Sequence, residues 1–181
     1  CRGRGAALAL PVFLTFSNPA HAQANASRAG SIRACNAGDM YECARTGNLM
    51  MEGVDGPKDP AAARQYYERA CNGEVAISCQ SMGVSLVNAH FGGAPNAKAS
   101  LPYYAKACQL GAADACSEEG LVAHQLGDFG RARSVSVRGC LAGSSNGCHS
   151  SGIMFETGIG GAADRIFADR AAVRRAVVQP R

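Results

Sequence analysis

Tyr66-Tyr67-Glu68-Arg69-Ala70-Cys71-Asn72-Gly73-Glu74-Val75-Ala76-Ile77-Ser78-Cys79-Gln80-Ser81-Met82-Gly83 decides the fold of this chain. Helix formers run up to Cys71, and Asn72-Gly73 is a helix stop. Eight positions after Cys71 comes Cys79, and Gly83 follows four positions later. The same three-point spacing recurs as Cys35/Cys43/Gly47, Cys108/Cys116/Gly120 and Cys140/Cys148/Gly152. Repetition at a fixed period fixes architecture before any local argument. The repeat starts at 35, 71, 108 and 140 are 36, 37 and 32 residues apart, a period that fits helix-turn-helix units.

Working outward, Asp39 is placed to cap a helix through Cys43, Gly47 and Met50. Glu52 to Lys58 is a turn-rich loop. Asp59-Pro60 is a strong helix start, a capping side chain followed by a residue that lacks the amide hydrogen not needed there. In the second unit the first helix is expected from about Val75 to Ala89, broken by Gly92-Gly93. Asn96 stands where Asp59 stood, but Pro102 inside a helix costs about 3 kcal/mol. A start near Ser100, giving a short or kinked helix, avoids most of that cost. The third unit has a loop shortened to Gly127-Asp128, and Arg131-Ala132 opens its second helix. The fourth keeps Gly158-Ile159-Gly160 and the cap Asp164, but has no tyrosine pair and no closing cysteine. Residues 164–181 hold five arginines and two aspartates, which suits a C-terminal capping helix and tail.

The beginning of the chain reads differently. Arg2 and Arg4 precede an apolar run from Ala6 to Phe16, and Ala20-His21-Ala22 supplies small residues at a cleavage site. This is the pattern of a secretory signal peptide over 1–22, cleaved near Ala22, and the run is too short for a transmembrane segment. Residues 23–34 are small and polar and read as a mobile lead-in. Cys1 leaves with the signal, so eight cysteines remain in a chain bound for the periplasm or for secretion. An even count in an oxidising compartment reads as a disulfide framework, and the constant spacing pairs each cysteine with the one eight positions on. Metal ligation and redox chemistry are the other readings. Zinc sites favour two to four intervening residues, and no Cys-x-x-Cys exists.

Composition narrows the function. The net charge is +4, or +2 without Arg2 and Arg4, which is too small to argue for nucleic acid. Aromatics are 6% and Trp is absent, so closely packed small residues must carry the core. Gly47, Gly83, Gly120 and Gly152 fall mid-helix, where close helix approach is the expected compensation for their cost. One tyrosine of each pair, Tyr66-Tyr67 and Tyr103-Tyr104, is expected between helices and the other outside; lining a binding groove is the alternative. His90, His124 and His149 are isolated, and neither a metal nor a cofactor site is expected. No catalytic residue is assigned. Lys58, Lys98 and Lys106 follow Asp55, Pro95 and Tyr103, so the Ser-x-x-Lys of serine β-lactamases is missing, as is Lys-Thr-Gly.

Glu52-Gly53-Val54-Asp55-Gly56-Pro57-Lys58-Asp59 and Gln65-Tyr66-Tyr67-Glu68-Arg69-Ala70-Cys71 resemble the Sel-one-like repeat, a relative of the tetratricopeptide repeat. The paired cysteines narrow the resemblance to the secreted cysteine-rich, Hcp-like subfamily, over about residues 35 to 165. The resemblance implies an all-α fold, a short right-handed α-solenoid of helix-turn-helix repeats over 35–163 with one disulfide per repeat. It implies a binding scaffold whose concave face takes a protein or peptide ligand. It also carries an enzymatic alternative, a weak β-lactamase or penicillin-binding protein with a β-lactam or peptidoglycan-like ligand, which the residues do not favour. A third reading is a redox or assembly factor that uses the cysteine pairs.

Overall fold

The computed structural model describes residues 27–178, so the signal-peptide reading of 1–22 lies outside the described residues. Those residues form nine helices in chain order: α1 (Arg28–Asn36), α2 (Met40–Glu52), α3 (Pro60–Asn72), α4 (Ala76–Val87), α5 (Ala97–Gln109), α6 (Ala113–Gln125), α7 (Phe129–Leu141), α8 (Ser145–Thr157) and α9 (Arg165–Val178). Each helix packs on its neighbours in sequence, and α6 also packs on α8, which gives an α-solenoid of helix pairs. Among the described residues no helix is long and apolar enough to cross a membrane.

One device starts the second helix of every unit. The Asp59 carboxylate accepts from the Ala62 amide at 2.9 Å, and its own amide donates to Met50 O at 2.9 Å. Asn96 accepts from Ala99 and donates to Leu86 O; Asp128 accepts from Arg131 and donates to Ala123 O. Asp164 accepts from Phe167 and donates to Phe155 O. Each cap therefore satisfies a free amide of the new helix and also ties its start to the helix before it. This double role overrides Pro102. The helix begins at Ala97, not near Ser100, with Pro102 inside it. The third unit's second helix likewise begins at Phe129, earlier than Arg131.

The lead-in expected over 23–34 is a helix from Arg28 on. Ser27 caps it by accepting from Gly30 at 3.1 Å. The Arg28 guanidinium donates to Pro57 O, Leu49 O and Gly56 O, and the Arg28 amide donates to Asp55 Oδ2. Small polar residues thus gain order from contacts some 21 to 29 positions away, which local composition does not reveal.

Four disulfides, Cys35–Cys43, Cys71–Cys79, Cys108–Cys116 and Cys140–Cys148, join the last turn of α1, α3, α5 and α7 to the first turn of the next helix. The short turn inside each clasp needs a left-handed residue three positions after the first cysteine. Gly38, Gly111 and Gly143 fill it at φ near +100°, and Glu74 fills it in the second clasp at φ 64°. Gly73 has ordinary φ; its missing side chain makes room for that of Met40.

The core is small-grained, and its largest members are Tyr104, Tyr67, Met82 and Met154. The mid-helix glycines explain the tyrosines. A Cβ at Gly47 would lie 2.6 Å from Tyr67 Cε1, and one at Gly83 would lie 2.7 Å from Tyr104 Cε1. The second tyrosine of each pair lies against the glycine of the preceding helix, while Tyr66 and Tyr103 stay half-exposed. At Gly120 the nearest atom is Ser136 Oγ, and at Gly152 the space is ordinary van der Waals room.

Burial raises the Tyr67 phenol to about 12, with the Glu52 carboxylate a smaller cause. Tyr104 is raised to about 12 by burial and then by Glu118. An unfolded phenol titrates near 10, so the neutral rings contribute full stability below pH ~10. That contribution is lost between pH ~10 and 12. The urea midpoint is expected to stay level from pH 8 to 9.5 and to fall steeply by pH 11.5. A level midpoint at pH 11.5 would contradict the burial of both phenols.

Candidate functional site

The first helices of the four units, α2, α4, α6 and α8, form one row. Two positions before each clasp's second cysteine stand Tyr41, Ile77, Asp114 and Asn146; five positions after it stand Asn48, Val84, Leu121 and Ile153. Several large apolar members of this row are exposed: Tyr41 76%, Ile77 59%, Leu121 52% and Ile153 43%. An apolar residue repeating on one face of a helix array, and left in water, is a surface fit for a partner.

Cavities open along this row. One of about 340 Å³ lies between α2 and α4 and is lined by Met51, Tyr67, Ile77, Gln80, Val84 and His90. Another of about 170 Å³ lies between α6 and α8 and is lined by Leu121, His124, Ile153, Met154 and Ile159, with Gly120 and Ser136 among its wall residues. A more polar cavity of about 510 Å³ lies between α8 and α9, where Arg175 Nη1 is 3.0 Å from His149 Nδ1. Its walls include Glu156 of α8 and Arg165 and Asp169 of α9, all three exposed.

Polar groups on the row are few and mostly paired. The Tyr67 hydroxyl donates to Asn48 Oδ1 at 2.6 Å. Glu118 is half-buried, and burial, then Asp114, pushes its carboxyl above the usual range. Glu119 is buried and accepts from Arg131 at 2.9 and 2.8 Å, with Arg138 at 3.7 Å from its other oxygen. Ser117 donates to Ser144, and Ser144 donates to Asp114 Oδ1 at 2.7 Å, a chain that ties α6 to the turn before α8.

The eight cysteines named from spacing lie in pairs in the clasps, away from the exposed row. The three histidines stay apart: His90 beside the α2–α4 cavity, His124 edge-on to Phe129, and His149 against Arg175. Among the described residues no group of three or more His, Cys, Asp or Glu side chains is placed to hold a metal ion. Sequence reasoning named the tyrosines as groove candidates. It missed Ile77, two positions before its clasp's second cysteine, and Leu121 and Ile153, which with Val84 repeat an apolar residue five positions after successive second cysteines.

No protein-family profile matches the chain. A cytochrome c oxidase assembly factor 7A from Xenopus laevis is 29% identical over 102 residues, spanning 54% of this chain and 44% of that protein. Among solved structures, a Sel1 repeat protein from Oxalobacter formigenes superimposes with a TM-score of 0.76 at 19% identity, covering 85% of this chain and 65% of that one. The protective antigen c5321 of uropathogenic Escherichia coli, which displays an SLR fold, superimposes at 0.74 and 19% identity, covering 84% of this chain and 33% of that one. The chain thus spans less than two thirds of each of these proteins. Four clasped helix pairs, a glycine-seated tyrosine in two of them and these superpositions agree: the chain is a repeat array with the Sel1-like fold and one disulfide per repeat.

Proposed function

We propose that the chain is a periplasmic or secreted scaffold that binds a protein or peptide along the row of first helices, its concave face. The observation that carries this reading is the repeated exposure of Ile77, Leu121 and Ile153 along one row with cavities between them. Repeat arrays build extended surfaces of this kind. Intrachain disulfides and the lack of a membrane-crossing helix among the described residues fit an extracellular or periplasmic site of action. The relative named as an assembly factor is in keeping with a scaffold role.

The test starts from the oxidised chain without residues 1–22, used to retain proteins from a periplasmic extract. A retained protein is purified and its affinity measured against the wild type and an Ile77→Arg/Leu121→Arg double variant. Both positions are exposed, so helix content is expected to hold. Affinity is expected to fall at least tenfold, about 1.4 kcal/mol. Binding that ignores both substitutions would move the site off this face, and steady nitrocefin turnover above a heat-denatured control would favour the enzymatic alternative.

A further inference from the structure

We infer that the cavity between α6 and α8 is a seat for an aromatic side chain of a partner polypeptide. The inference rests on the binding reading above and names what that face takes hold of.

The seat is defined by the chain's own repeats. Four positions before the first cysteine of successive clasps stand Ser31, Tyr67, Tyr104 and Ser136. Tyr67 and Tyr104 each lay a phenol ring against the glycine of the preceding first helix. Ser31 lies in α1, before which no first helix is described, and its hydroxyl accepts from Arg45 Nη1 at 3.1 Å. Ser136 has such a helix, and Gly120 waits on it at the position of Gly47 and Gly83. The third unit therefore keeps the glycine but has Ser136 in the tyrosine's place, and α7 comes closer there. A Cβ at Gly120 would meet Ser136 Oγ at 2.5 Å and Ala132 O at 3.2 Å, so the room for a ring is the cavity beside this contact, which Gly120 and Ser136 help to wall.

The walls match as well. The cluster that holds Tyr104 includes Val122, with Val84 and Val87 packed against it. At the same steps from the cysteines, the third seat has Met154 for Val122, Leu121 for Val84 and His124 for Val87, and all three line the cavity. Its volume is about 170 Å³. An apolar cavity of ~150 Å³ takes up benzene, so one aromatic ring fits this space. Ser136 Oγ, at the inner wall, is fully buried and has no hydrogen-bond partner, unlike Ser31 Oγ. A buried hydroxyl without a partner is costly, and an arriving ring gives it a π face or a phenol oxygen. Leu121 and Ile153 flank the entrance and are exposed, so the seat opens onto the row where a partner chain would lie. The ring is assigned to a polypeptide because the two filled seats hold a ring that a main chain delivers.

The probes are p-cresol, a free tyrosine ring, and N-acetyl-tyrosinamide, a ring carried on a peptide unit. Both are titrated into the oxidised, isotope-labelled protein and followed by NMR. Saturable binding is expected for each, with a Kd on the order of 1 mM for p-cresol, the scale for its eight or so heavy atoms. Nuclear Overhauser contacts from ring protons to the Met154 and Ile159 methyl groups locate the site in the wild type. In Ser136→Tyr the chain supplies its own ring, and p-cresol affinity at the seat is expected to fall at least tenfold. The inference is overturned if p-cresol does not saturate, if its contacts lie elsewhere, or if folded Ser136→Tyr binds it unchanged. Binding of p-cresol but not of N-acetyl-tyrosinamide overturns the assignment to a polypeptide. None of these results touches the Ile77→Arg/Leu121→Arg test, so the scaffold reading stands or falls separately.

Discussion

Reducing the four clasps is expected to unfold this chain at 25 °C without denaturant. Each disulfide closes a loop of nine residues, counted from its paired cysteines. Loop-closure entropy gives about 2.5 kcal/mol for such a loop, so four together withhold about 10 kcal/mol from the unfolded state. Domains of this size have net stabilities of ~5–15 kcal/mol. The core is built largely of Ala, Cys and Ser, with Tyr67 and Tyr104 as its buried aromatics, so little else makes up the difference. Circular dichroism in excess phosphine reductant is expected to lose more than half of its helical signal, and reoxidation to restore it. Non-reducing peptide mapping is expected to return the four pairs at a separation of eight. Removing one clasp, by Cys108→Ser with Cys116→Ser, is expected to lower Tm by about 5–10 °C, from 2–4 °C per kcal/mol at this length. A fully reduced chain that melts within 5 °C of the oxidised one would refute the dependence on the clasps. Loss of partner binding at reductant levels that leave the helices intact would instead favour a redox role for the cysteines.

The cysteine spacing and the caps carried most of the architecture because both are local and repeated. Asp39, Asp59 and Asp164 sit at helix starts where an acceptor side chain followed by helix formers predicts them, whereas Asp128, read as loop, is also a cap. The sequence misleads where a distant contact outweighs a local preference. Pro102 argues for a late start, but Asn96 is bound on both sides, to Ala99 and to Leu86, and its helix forms around the proline. Residues 28–34 look unstructured until the Arg28 guanidinium is seen donating to the carbonyls of Leu49, at the end of α2, and of Gly56 and Pro57 in the loop. The glycine–tyrosine pairing was half legible: both residues stand out, but only packing shows that one is the seat of the other. The empty third seat is harder still. It is an absence, Ser136 in a tyrosine's place, and it becomes visible only when the register of three helices and the space between two others are compared.

The filled seats give the opposite experiment. Tyr104→Ala is expected to cost about 3–5 kcal/mol, the range for emptying a buried aromatic site. At this chain length that is a Tm lowered by about 6–20 °C. Tyr104 is 2% exposed, and Tyr103 beside it is only half-buried, so Tyr103→Ala is expected to cost much less. The loss at Tyr104 should be large because Gly83 has no side chain to collapse into the space, and the residues around the ring belong to two clasped helix ends. Those ends are pinned by Cys71–Cys79, which limits relaxation. The same rigidity predicts rescue: millimolar p-cresol is expected to raise the Tm of Tyr104→Ala more than that of the wild type, by refilling the emptied seat. Equal shifts in both proteins would mean that the seat collapses. The third unit would then hold its space open by other means, with Glu119 between Arg131 and Arg138 as the element there that the second unit lacks. Equal melting of Tyr103→Ala and Tyr104→Ala would break the pairing of glycine with ring that packs the helices of the first two units.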